Sequence, residues 1–109
     1  MSKMWRLIVE EVCAESGLTE DLLCSPRRSL TYSIPRQMVM FIAYRLCPEI
    51  GSKTIAMRLG RKDHTTALHG IMQMYKRLRN DEDMYNMFCK IERRVLEREN
   101  AEKTVQPAP

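Results

Sequence analysis

Apolar residues recur along this chain at intervals of three and four, and no segment keeps the two-residue alternation of a half-buried strand. That period fixes the class as all-α, a compact bundle of about six helices without internal repeats. The first helix reads over residues 3–16, with Met4, Leu7, Ile8 and Val12 on its apolar side and Gly17 as its stop signal. Thr19 is the expected cap of a short helix, TEDLLC, whose first turn carries Glu20 and Asp21 as the helix dipole favours. SPRRSLTYS then reads as a loop, and Ser33 as the N-cap of IPRQMVMFIAYRLC, with Pro35 in its first turn. Ile34, Met38, Phe41 and Ile42, widened by Met40, Ala43 and Cys47, make this the expected central helix. Ser52 is the expected cap of KTIAMRL and Gly60 its C′ residue. Asp63 then precedes HTTALHGIMQMYKRLRN, whose expected buried stripe is Ala67, Leu68, Ile71, Met74, Tyr75 and Leu78. Asp81 caps the last helix, which carries Met84, Phe88, Ile91 and Val95 at 4-3-4 spacing. The expected organisation is one domain over residues 1–99 and a polar, disordered tail over 100–109.

A chain of 109 residues supports one core. No apolar run approaches a membrane span, and the charged start MSKMWRLIVEEV does not fit a signal peptide, so a cytoplasmic protein with no membrane partner is expected. Cys13, Cys24, Cys47 and Cys89 are too irregularly spaced for a zinc site and read as reduced, partly buried thiols. Charge is segregated. Residues 27–79 hold eleven Lys and Arg against two acids, whereas residues 1–26 and 80–109 are net acidic, at −3 and −2. A basic middle between acidic flanks is the pattern of a polyanion-binding face, the plain alternative being a solvated surface that happens to be basic.

Both histidines fall in GRKDHTTALHG, residues 60–70. Five positions on a helix turn a side chain through roughly 140°, so His64 and His69 do not share a face as a metal-binding i,i+4 pair would. No cysteine or serine stands beside them in a nucleophile motif, the basic segment has no carboxylate pair, and the chain has no phosphate-binding glycine loop. No catalytic residue, metal or cofactor is therefore assigned. A short helix, a glycine-containing turn and a second helix form a helix-turn-helix layout, in which the start of the second helix enters the major groove. Here that start is Asp63, His64, Thr65 and Thr66, with His69 following Thr65 by four. Asp accepts from cytosine, Thr bonds a base or meets a thymine methyl, and neutral His both donates and accepts. Arg61, Lys62 and Lys76 flank them for phosphates. Asp63 has two readings at this point, helix cap or base contact.

IPRQMVMFIAYRL followed by GRKDHTTALH resembles the C-terminal DNA-binding domain of the bacterial replication initiator DnaA, whose pattern is a PRQ-containing helix and then GGRDHTTVLHA. The resemblance covers about residues 5–97. It implies an all-α fold with a Trp-repressor-like helix-turn-helix and double-stranded DNA as partner, read at a DnaA-box-like site. It implies that Arg28 enters the minor groove with Ser29 touching the backbone, that Arg36 and Gln37 contact the backbone, and that Asp63, His64, Thr65, Thr66 and His69 face the major groove. The role it implies is nucleoid-associated regulation of replication initiation or transcription. Arg61 and Lys62 stand where the family carries Gly and Arg, which changes the turn's backbone freedom and replaces a fork donor with a point charge. The family's ATPase domain is not in this sequence, so no nucleotide is expected. The competing expectation, from a different class, is a protein-interaction adaptor binding a replication or transcription protein through the acidic segments and Trp5.

Overall fold

The computed structural model describes residues 3–104. Six helices follow in order: α1 (Lys3–Ser16), α2 (Glu20–Leu23), α3 (Leu30–Leu46), α4 (Ser52–Arg58), α5 (His64–Asn80) and α6 (Glu82–Thr104). There is no strand among the described residues. None of the helices is long and apolar enough to cross a membrane.

α3 is the centre. α1, α2 and α5 all pack against it, and α4 and α6 complete the bundle by packing on α5 and α1. Leu7, Ile8 and Val12 meet Val39, Ile42, Ile55, Leu59, Met74, Ile91 and Val95 in one continuous core. Trp5 belongs to that core at 3% exposure, with the Arg58 guanidinium 5.3 Å from its ring centre, so it offers no surface to a partner. Where α5 crosses α3, Gly70 is buried, and a Cβ built there would overlap the Met40 sulfur. Glycine costs helix propensity at this position, and in return lets the two backbones approach.

Thr19 caps α2 through its hydroxyl, accepting from the Leu22 amide at 3.2 Å, an interaction of about 1 kcal/mol. Asp81 accepts from the Met84 amide at 3.1 Å in the first turn of α6. Several boundaries differ from the sequence reading. α3 starts at Leu30, not Ile34, because the Ser29 carbonyl already accepts from the Tyr32 and Ser33 amides, both at 2.9 Å. Pro35 thus lies in the second turn and leaves one helical carbonyl without its amide partner. Ser52 is the first helical residue of α4 rather than its cap; Gly51 occupies the cap position and supplies only its carbonyl, to Ile55 at 3.1 Å. On α5 the buried residues are Ala67, Gly70, Ile71 and Met74. Leu68 and Tyr75, expected in the stripe, are exposed at 44% and 51%, because each sits one residue, roughly 100°, round the helix from a core position. α6 continues to Thr104, five residues into the expected tail, and residues 105–109 of that tail lie outside the described residues.

Candidate nucleic-acid interface

α4 ends in a Schellman turn. Gly60 has φ +76°, the Gly60 amide donates to the Met57 carbonyl at 3.0 Å, and the Arg61 amide donates to the Ala56 carbonyl at 2.8 Å. A side chain at 60 would be strained twice, by the positive φ and by a Cβ placed 2.5 Å from the Cys24 carbonyl oxygen. The chain leaves this turn through Lys62 and enters α5 at Asp63. The Asp63 carboxylate accepts from the Thr65 amide at 3.0 Å, so the capping half of its two readings is realised. The Thr65 amide, and then the Thr65 hydroxyl, hold the Asp63 pKa below the ordinary carboxylate value, with His64 adding a smaller push in the same direction. His64 Nδ1 lies 3.4 Å from the same carboxylate.

Lys62, Asp63, His64, Thr65, Thr66, Leu68 and His69 are all exposed, while Ala67 beneath them is fully buried. The first two turns of α5 are therefore clamped to the core along one line and open everywhere else. Thr66 and His69 border a cleft of about 120 Å³ between α3 and α5, completed by Ser33, Arg36, Gln37, Met40, Arg61 and Gly70. The structure thus brings Arg36 and Gln37 together with Thr66 and His69 around one depression. His64, Thr65, Asp63 and Lys62 are not among its walls. Gln37 is half-buried, and its side-chain oxygen accepts from Arg77 at 3.4 Å, a contact with no sequence signal.

Arg28 and Ser29 are exposed in the short connection before α3, and the Ser29 hydroxyl makes no capping bond. Arg27 beside them lies over the Tyr32 ring at 5.4 Å. Arg36 departs from the expected surface role. It is 5% exposed, its Nε donates to the Leu23 carbonyl and its Nη2 to the Arg27 carbonyl, both at 2.6 Å. Burial, and then the neighbouring Arg61 guanidinium, lower its pKa from the ordinary arginine value. Arg61, expected to flank the site for phosphates, also turns inward: Nε donates to the Leu59 carbonyl at 3.2 Å, and Nη2 donates to the Cys24 carbonyl at 3.4 Å and to the Ser25 carbonyl. Arg61 thus joins the loop carbonyls of Cys24 and Ser25 to the turn that precedes α5, while Arg36 holds the same loop to α3 through the Leu23 and Arg27 carbonyls.

The other cations of the segment behave differently. Among the described residues, Arg45 is the one Lys or Arg between 27 and 79 in a salt bridge, with Glu92 at 2.9 Å. Arg28, Lys53, Lys62 and Lys76 are exposed and have no carboxylate partner among the described residues. Positive charge, small polar side chains at a helix start and an exposed arginine on an adjoining loop therefore occur together, while no group of three or more His, Cys, Asp or Glu gathers as a metal site among the described residues.

The sequence matches the family described as "Bacterial dnaA protein helix-turn-helix" over residues 5–74. It is 35% identical over 80 residues to a chromosomal replication initiator protein DnaA of Thermomicrobium roseum, covering 72% of this chain and 17% of that protein. The proteins of the same name in Geotalea uraniireducens and Zymomonas mobilis are 32% and 36% identical over 94 and 81 residues, covering 83% and 71% of this chain and 20% and 16% of theirs. The chain thus spans a fifth or less of the length of these curated relatives.

Proposed function

This chain belongs to the bacterial DnaA helix-turn-helix family, and from that premise we propose that it is a sequence-specific double-stranded DNA-binding protein that reads a DnaA-box-like site. The observation that carries the reading is the open start of α5: Asp63 to Thr66 and His69 are exposed on a helix anchored by Ala67, on a face whose cations are left without internal carboxylates. Lys62 and neighbouring cations supply sequence-independent attraction to phosphates, which also makes affinity salt-dependent. His64, Thr65 and His69 read base edges in the major groove, and Asp63 contributes its second oxygen while the first caps the helix. Arg28 enters the adjoining minor groove, where a narrow A·T-rich groove concentrates negative potential, and Ser29 touches the backbone beside it. Thr66 and Gln37 face the phosphate that crosses the cleft between α3 and α5.

The reading assigns the chain a binding role without catalysis, in the nucleoid and in the regulation of replication initiation or transcription, with residues 1–99 as the binding unit. The adaptor alternative loses one of its two supports, because Trp5 lies in the core. Selection of bound duplexes from a random pool at fixed salt tests the proposal. It should enrich one site resembling a DnaA box, with an A·T-rich flank. Recovery of a pool without sequence preference would sink the base-reading role.

A further inference from the structure

Arg28 and the start of α5 lie far apart in sequence, yet the backbones beside them meet directly at a few atoms. Cys24 Sγ donates to the Arg58 carbonyl at 3.5 Å, Gly60 leaves no room for a Cβ beside the Cys24 carbonyl, and Arg61 bonds the Cys24 and Ser25 carbonyls from one side and Leu59 from the other. Arg36 holds the Arg27 carbonyl, and the Ser29 carbonyl is fixed by the first bonds of α3. The backbone is therefore pinned on both sides of Arg28 while its side chain stays free.

We infer that Arg61 is a positioning residue: by tying the arginine loop to the helix-turn-helix turn, it sets where Arg28 stands relative to Asp63–Thr66, so that the flank and the box are read as one rigid unit. The inference deepens the DNA-binding reading and rests on it. The chemistry suits arginine alone. A planar fork reaches carbonyls on two segments at once, whereas lysine offers one compact charge. Two adjacent guanidiniums with no carboxylate between them repel each other, and that arrangement persists because their donors satisfy loop carbonyls that would otherwise lose partners. Holding the loop in its bound geometry beforehand removes an ordering cost from binding.

The experiment compares the full chain with Arg61→Ala, Arg61→Lys, Arg28→Ala and the Arg28→Ala/Arg61→Ala double variant, on duplexes sharing one selected box but carrying A·T or G·C flanks. Amide exchange is followed in the free chains. The Ser25 and Arg27 amides, bonded to the Leu22 carbonyl at 3.2 Å and to Ser25 Oγ at 3.4 Å, report the loop directly. In Arg61→Ala these amides should exchange faster while α1 and α6 do not change. Flank preference should fall on the order of tenfold, to the level of Arg28→Ala, and the double variant should lose no more, the non-additivity expected of coupled residues. Arg61→Lys should not restore it. The salt slope should stay at the wild-type value; a slope reduced by about one would identify Arg61 as a phosphate contact and overturn the inference. Unchanged exchange at Ser25 and Arg27, or additive losses in the double variant, would overturn it as well. Those failures leave wild-type box recognition standing, whereas a wild-type chain that prefers no duplex removes the DNA-binding reading and this inference together.

Discussion

Between α1 and α6, Arg98 bonds Glu10 at 2.8 Å and Glu11 at 3.0 Å, and Glu15 holds Lys90 at 3.0 Å and Arg94 at 3.5 Å. Between Arg27 and Arg79, eleven cations face two acids, and one of those acids caps its own helix. The two regions are made of the same side chains. In the seam, the Glu10 and then the Glu11 bond raise the Arg98 pKa, and the charges cancel within the molecule. On the basic face two arginines satisfy backbone carbonyls and most of the rest point outward. Net charge is thus an average over acidic flanks, whose seam cations are paired internally, and a basic middle whose cations mostly lack internal carboxylates. Paired surface charges contribute roughly 0–1 kcal/mol each to stability; unpaired ones contribute attraction to whatever carries the opposite sign.

Salt should separate the two regions most strongly. If the basic face engages about six phosphates, affinity for duplex DNA should fall on the order of a thousandfold between 50 and 200 mM salt. The seam is partly exposed, so its loss to screening should move the melting temperature by only a few degrees over the same range. Affinity that ignores salt would break the comparison. Next in size, His64→Ala and His69→Ala should each cost roughly 1–3 kcal/mol of discrimination, about tenfold or more, with non-specific binding and helicity retained. Arg98→Ala in the seam should leave discrimination untouched. Full sequence preference in both histidine variants would sink the assignment of α5.

Arg36 tests whether the face itself is uniform. A phosphate contact would weaken binding to all sequences and leave stability alone. A buried guanidinium that satisfies the Leu23 and Arg27 carbonyls should instead destabilise the fold when removed, by about 1–3 kcal/mol for the groups left without partners. Denaturant unfolding of Arg36→Ala distinguishes the two, and an unchanged midpoint would return Arg36 to the surface.

Why one arginine was legible and another was not is a matter of what sequence encodes locally. The extent of α5, the Asp63 cap and the glycine stop at 60 depend on residues within a turn of each other, and all are present as read. The start of α3 was displaced because Pro35 suggests a first turn, whereas the Ser29 carbonyl opens the helix a turn earlier. Leu68 and Tyr75 look like core from their apolarity, but which flank of a helix is covered depends on where α3 and α4 lie. Arg36 and Arg61 look like surface cations for the complementary reason: Leu59 apart, the carbonyls they bond belong to segments 9 to 37 residues away. The departure from the family at position 61 was the one visible trace of that tether.

The smallest expected effect concerns Asp63, where capping and base reading meet in one carboxylate. Its pKa is depressed in the folded chain by the Thr65 amide. The ionised cap therefore stabilises the fold above the unfolded carboxylate pKa, and that contribution disappears as pH falls through the lower, folded value. Asp63→Asn keeps a capping oxygen, so at neutral pH its stability should stay close to that of wild type, and the small difference should vanish in acid. Binding should respond differently, because an amide presents donors as well as an acceptor to a cytosine amino group. Thermal melts from neutral pH into the acid range, paired with box-versus-variant affinities at neutral pH, read both properties. Lost discrimination at unchanged stability assigns the second oxygen to a base. Retained discrimination would make Asp63 a cap alone, leaving the histidines and Thr65 to do the reading.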